Sequence, residues 1–86
     1  MGKWDKLFNR LLNGRSDTNI SFSELCNLLD WLGFEKRTSA GHHIFYKDGI
    51  DEIINLQPIG VLAKAYQIKQ VRNIILKYRL GGGEDV

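Results

Sequence analysis

A disulfide within this chain is excluded, because it contains a single cysteine, Cys26. That residue falls on an apolar helical stripe, where a small core side chain is a better expectation than a nucleophile. A lone thiol fits a reducing cytoplasm, which makes the sequon Asn19-Ile20-Ser21 a chance match. Long apolar runs are missing too: no stretch reaches the roughly 20 residues that span a bilayer. The segment Met1-Gly2-Lys3-Trp4-Asp5-Lys6 lacks the apolar core of a signal peptide. Lysine at position 6, where a myristoylation signal carries Ser or Thr, argues against acylation of Gly2. No membrane partner is expected. Acidic residues are absent from Ile53 to Gly83, whereas Lys64, Lys69, Arg72, Lys77 and Arg79 all lie there. The C-terminal half therefore reads as a basic surface despite a net charge of only +2. Such a surface suits phosphates, solvent or an acidic protein.

What remains is enough for one small domain. With 86 residues, 43% of them hydrophobic and 26% charged, the chain can bury a single modest core. Trp4, Leu7, Phe8, Leu11 and Leu12 recur at helical spacing, and Asn13-Gly14 supplies a stop, so an amphipathic N-terminal helix is expected to pack on the domain or a partner. The polar run Arg15-Ser16-Asp17-Thr18-Asn19 reads as a linker. A second helix is signposted by a capping box, Ser21 with Glu24, and by a hydrophobic staple, Ile20 with Leu25. Phe22, Leu25, Cys26, Leu29 and Leu32 form its stripe, and Gly33 can take the left-handed cap.

Three antiparallel strands are expected next: 34–38, then His42–Lys47 after a Ser39-Ala40-Gly41 turn, then Glu52–Gln57 after a tight Asp48-Gly49 hairpin. Pro58 and Gly60 end the sheet. A last helix should run from about Tyr66 to Leu80, with Ile68, Val71, Ile75 and Tyr78 as its main stripe, Ile74 beside it, and Gly81-Gly82-Gly83 as its stop. Residues 1–19 thus form a helix and linker, 20–80 the domain, and 81–86 a loose tail. No internal repeat appears.

The only two histidines, His42 and His43, stand at the start of the second strand, just after a glycine turn. Imidazole exchanges protons near neutral pH, so a strand-end histidine is a natural general acid or base; the competing expectation is a packed or solvated strand end. If Phe45 is core, alternation points His43 inward and His42 outward, although Ile44 and Tyr46 share the face of His42. Neighbouring strand residues point to opposite faces, so the pair cannot chelate one ion, and no Cys or carboxylate cluster completes a ligand set. No metal or cofactor is expected. A serine hydrolase is excluded for want of a Gly-x-Ser-x-Gly elbow.

The order helix, three strands, helix is the α-β-β-β-α layout of a double-stranded-RNA-binding domain, here an α+β fold with an extra N-terminal amphipathic helix and a three-stranded antiparallel sheet. Within it, Glu24-Leu25-Cys26-Asn27-Leu28-Leu29, Leu32-Gly33-Phe34, His42-His43-Ile44-Phe45, Ile54-Asn55-Leu56-Gln57-Pro58 and the run from Ala63 to Arg72 resemble, in order, the HicA family of toxin endoribonucleases. The resemblance covers most of the chain. It implies a metal-independent nuclease that cleaves mRNA and is inhibited by a HicB-type antitoxin. Carried over by position, the catalytic histidine is His42, with His43 as second choice. Lys47, Lys64, Lys69 and Arg72 are candidates for phosphate contacts, and Tyr46 or Tyr66 for stacking a base or donating a proton. The chain has Ala40-Gly41 where the family motif has Gly-Ser, which removes one hydroxyl beside the histidine, and Ala65 where many relatives have Pro. Two other classes stay open: an RNA-binding module that does not cut, and a HicA-like protein-interaction domain with a disabled site.

Overall fold

The computed structural model describes residues 3–14 and 17–80. Arg15-Ser16 of the expected linker, the tail 81–86 and the triple-glycine helix stop lie outside the described residues. The elements are α1 (Lys3–Asn13), α2 (Phe22–Trp31), β1 (Glu35–Ser39), β2 (His42–Tyr46), β3 (Ile54–Leu56) and α3 (Ala65–Tyr78). The described residues form a small α+β protein of three helices and one antiparallel sheet, ordered β1-β2-β3.

Helix α1 ends at Gly14, whose φ of 75° needs the freedom of glycine. Its Leu7, Phe8 and Leu11 are buried in the same cluster as the inner faces of α2 and α3, and Phe8 meets the half-exposed Trp31 ring at 5.9 Å. Helix α2 starts on the expected capping box: Ser21 Oγ accepts from the Glu24 amide, and Glu24 Oε1 accepts from the Ser21 amide, each at 3.0 Å. Ile20 and Leu25, the staple pair, are both buried. The buried stripe is Phe22, Leu25, Leu28 and Leu29; Cys26 and Leu32 pack at its margin, half-buried. Gly33, at φ 95°, closes the helix, and the Phe34 amide donates to the Leu29 carbonyl at 3.0 Å in a Schellman arrangement with Phe34 buried against the helix.

Ser39 pairs with His42 across a two-residue turn in which Ala40 (φ 51°) and Gly41 (φ 83°) both lie in the left-handed region, the signature of a type I′ hairpin. The second connection departs from expectation. Asp48-Gly49 does not form a two-residue hairpin: β2 stops at Tyr46, β3 starts at Ile54, and Asp48 has no positive φ. The Ile50 amide instead donates to the Lys47 carbonyl at 3.1 Å, with Gly49 at φ 87° in the third position of the turn, and the chain continues through Asp51–Ile53 before pairing resumes. β2 and β3 are accordingly shorter than read from the sequence, whereas β1 keeps five residues one position later than expected, because Ser39 pairs with His42 and leaves only Ala40 and Gly41 in the turn.

Helix α3 runs antiparallel to β3. The Gln67 side chain ties its first turn to the end of β3, donating from Nε2 to the Gln57 carbonyl at 3.1 Å, while Oε1 accepts from the Lys64 amide at 3.0 Å. Ile68, Val71, Ile74 and Ile75 are buried. The helix stops at Tyr78, two residues before the expected end, because Arg79 takes the left-handed conformation (φ 53°) and the Leu80 amide donates to the Ile75 carbonyl at 3.0 Å, with Leu80 packed on the core. Tyr78 packs its ring at the core margin and spends its hydroxyl on polar contacts with Asp51 and Glu52.

Candidate active site

The register sorts the sheet into two faces. Phe45 sits between Lys36 and Ile54, and His43 between Thr38 and Leu56, so the inner face carries buried Phe45, Ile54 and Leu56 together with His43. The opposite face carries Arg37, Ile44 and Asn55 in one row and Ser39 with His42 in the next. Glu35 with Tyr46 follows beyond. Since Phe45 is 1% exposed, the alternation that was open in the sequence places His42 on the outer face and His43 on the inner one.

The two imidazoles therefore have different surroundings. His43 stands edge-on to Phe22, ring centroids 5.3 Å apart, and its Nδ1 is buried without a hydrogen-bond partner. His42 is half-exposed, and its Nδ1 lies 3.0 Å from Asn55 Oδ1 on β3. Both rings are half-buried, and of the two it is His42 whose orientation a hydrogen-bonding neighbour fixes.

The side chains expected to contact phosphates do not gather around it equally. Lys47 is half-buried and lies at the end of α2, where a Cβ on Gly33 would come within 2.8 Å of its Nζ. A cation there complements the negative end of the helix. Arg72 is engaged elsewhere: Nη1 and Nη2 donate to both carboxylate oxygens of Asp17 at 2.8 and 3.0 Å, and Nη1 also donates to the Leu11 carbonyl at 3.1 Å. The hydrogen bonds and charge of Arg72 hold the Asp17 carboxyl below its ordinary range, and Asp17 raises Arg72 in turn. Lys64, Tyr66 and Lys69 are exposed on the first turns of α3, the part of the helix tied to the end of β3 one residue past Leu56, the partner of His43. Lys77 pairs with Glu52 at 2.7 Å. The basic surface read from the sequence is thus interrupted by two acidic partners from outside its stretch.

Two residues on the outer face were not singled out from the sequence. Asn55 holds His42, and Arg37, exposed opposite Ile44, is the cation of the strand residues on that face. Strand parity alone would have put Arg37 there, whereas Asn55 needed the register of β2 on β3. Burial raises the pKa of the Cys26 thiol, which keeps it protonated and unreactive. Among the described residues no group of three or more His, Cys, Asp or Glu side chains comes together to hold a metal ion. No described helix is long and apolar enough to cross a membrane. Comparison with family models, curated proteins and solved structures finds no match to this chain.

Proposed function

We propose that this chain is a metal-independent endoribonuclease of the HicA toxin type, built on a fold like that of the double-stranded-RNA-binding domain, with His42 as its general acid/base residue. The carrying observation is the half-exposed His42 ring on the outer face of the central strand, held by Asn55 at 3.0 Å. RNA carries its own nucleophile. A base takes the proton of a 2′-hydroxyl, the oxygen attacks the adjacent phosphorus, and the bond to the 5′-oxygen breaks as that oxygen is protonated, leaving a 2′,3′-cyclic phosphate and a 5′-hydroxyl. His42 serves as the base or, at the other end of the reaction, as the acid. Arg37 on the same face offsets phosphate charge, and Tyr46, 40% exposed further along β2, offers a ring for a base to stack on; Lys64, Tyr66 and Lys69 are exposed at the start of α3, the helix that packs on the inner face. A HicB-type antitoxin is the proposed inhibitor and mRNA the proposed target.

The test is cleavage of a single-stranded RNA by purified protein in excess chelator. Wild type should yield cyclic-phosphate ends, fail on the same strand with a 2′-deoxy residue at the scissile position, and lose at least about 100-fold in rate as His42→Ala. Intact RNA with wild type would overturn the nuclease. The second reading, an RNA-binding module that does not cut, has one observation behind it: Ala40 and Gly41, the two residues before His42, carry no hydroxyl, which leaves that of Ser39, paired across from His42. RNA retention without cleavage, insensitive to His42→Ala, would select it.

A further inference from the structure

We infer that Asn55 is a positioning residue that selects the tautomer of His42, fixing the proton on Nδ1 and leaving Nε2 as the atom that exchanges protons with a substrate; this rests on the nuclease reading only for its kinetic consequence. The two side chains are diagonal neighbours. Asn55 lies directly across from Ile44, two residues from His42 along β2, and the diagonal reach across an antiparallel pair is within the span of an amide and an imidazole. Asn55 presents its Oδ1 to the ring at 3.0 Å, and an amide oxygen can only accept, so in this orientation of the amide the hydrogen bond places the proton on Nδ1. A neutral imidazole holds one such proton, which makes Nε2 the lone-pair nitrogen. His43 has no equivalent restraint, since its Nδ1 has no hydrogen-bond partner. Free imidazole favours the opposite tautomer, with its proton on Nε2, so an Nδ1–H form in the protein would be imposed by the Asn55 contact.

The experiment is nitrogen-15 NMR of histidine-labelled protein above the titration range of the rings, read beside cleavage kinetics. The wild-type His42 signals should report an Nδ1–H, Nε2-lone-pair ring. Asn55→Leu should return the ring to a mixture dominated by Nε2–H, and Asn55→Asp, which keeps an acceptor oxygen at that place, should restore Nδ1–H. In kinetics, Asn55→Leu should lower kcat about tenfold, a fraction of the 10²–10⁴ that a general acid/base supplies, with KM unchanged; Asn55→Asp should recover part of it. Asn55 is exposed, so neither change should alter the melting curve by more than a few degrees. An Nε2–H ring in the wild type overturns the role of Asn55 even if RNA is cut. An Nδ1–H ring that reverts in Asn55→Leu supports it even if no RNA is cut, and in that case only the nuclease fails.

Discussion

Where β2 ends and β3 is about to begin, Glu52 accepts from Lys77 at 2.7 Å and from the Tyr78 hydroxyl at 2.5 Å, the Asp51 amide reaches the same hydroxyl, and Lys47 covers the end of α2. Where β2 begins and β3 ends, the sheet finishes differently: His42 leans on one neutral amide, Ala40 sits at positive φ, and Ile59, Val61 and Leu62 lie 46–80% exposed in the loop leading to α3. That loop is fastened through the backbone, by the Phe22 amide to the Val61 carbonyl and the Ala63 amide to the Ile20 carbonyl, both 2.9 Å. One end satisfies charge with charge. The other is held by neutral hydrogen bonds, main-chain ones and those of the buried Gln67 amide, and leaves His42, Ile59, Val61 and Leu62 partly or largely exposed.

The sharpest way to break that comparison is to exchange the consequences of its two ends. His42→Ala should cost at least about 100-fold in RNA cleavage while leaving the melting temperature near that of wild type, because the ring is half-exposed and its loss strands only the Asn55 amide. Glu52→Gln should do the reverse, lowering stability and leaving cleavage within about twofold. Parallel melting and cleavage assays decide the matter; a Glu52→Gln variant that folds well but cuts poorly would mean that both ends serve the reaction.

Away from both ends, Arg72 ties α3 to Asp17 and to the end of α1, with both side chains largely shielded from solvent. Arg72→Ala removes a bidentate partner and leaves a partly buried carboxylate and carbonyl behind. It should destabilise by about 2–3 kcal/mol in urea unfolding. If instead stability holds and RNA binding falls, Arg72 is a phosphate contact, as its position in the basic run first suggested.

These contacts mark where the sequence stopped being readable. The capping box, the staple pair and Gly33 are local devices whose parts lie within about five residues of one another, and each appears where its pattern puts it, while the turn expected over Ser39-Ala40-Gly41 tightens to Ala40-Gly41 as Ser39 joins β1. Asp48-Gly49 carries the same kind of signal but meets a longer connection, since Asp51 and Glu52 are drawn to Tyr78 before β3 can pair. The early stop of α3 depends on Leu80 finding the core, which no glycine pattern announces. Asn55 and His42, Asp17 and Arg72, and Glu52 and Lys77 are 13, 55 and 25 positions apart, so these pairings required the assembled sheet and helices.

The pH dependence of stability should distinguish the ends further. Its hydrogen bonds from Lys77 and Tyr78 hold Glu52 down to about 2 from an ordinary 4.5. A carboxyl depressed in the folded state adds stability that is complete above its unfolded value and fades as pH falls through the folded one. The Glu52 contribution should thus be full above pH 4.5 and disappear by about pH 2, so that wild type and Glu52→Gln differ in melting temperature near neutrality and converge in acid. The pair is solvent-accessible, and added salt should narrow the gap. A gap that persists at pH 2 would mean that glutamine disturbs packing rather than charge.

The smallest effect belongs to the His42 end and tests whether its strain has a use. A type I′ turn needs positive φ at both central residues, and alanine in the left-handed region costs about 1 kcal/mol that asparagine, with its local hydrogen bonding, largely avoids. Ala40→Asn should therefore raise stability by about 0.5–1 kcal/mol, whereas Gly41→Ala, forced to φ 83°, should lower it by at least as much. Urea midpoints measure both. No gain in Ala40→Asn would mean that the turn relaxes to another form in solution. If the gain appears and cleavage is unchanged, the alanine is a tolerated cost beside the site. If the gain appears and cleavage falls, the strained turn is holding His42 in a geometry that a relaxed turn loses, and the looser finish of this end is then a condition of its chemistry rather than a by-product of it.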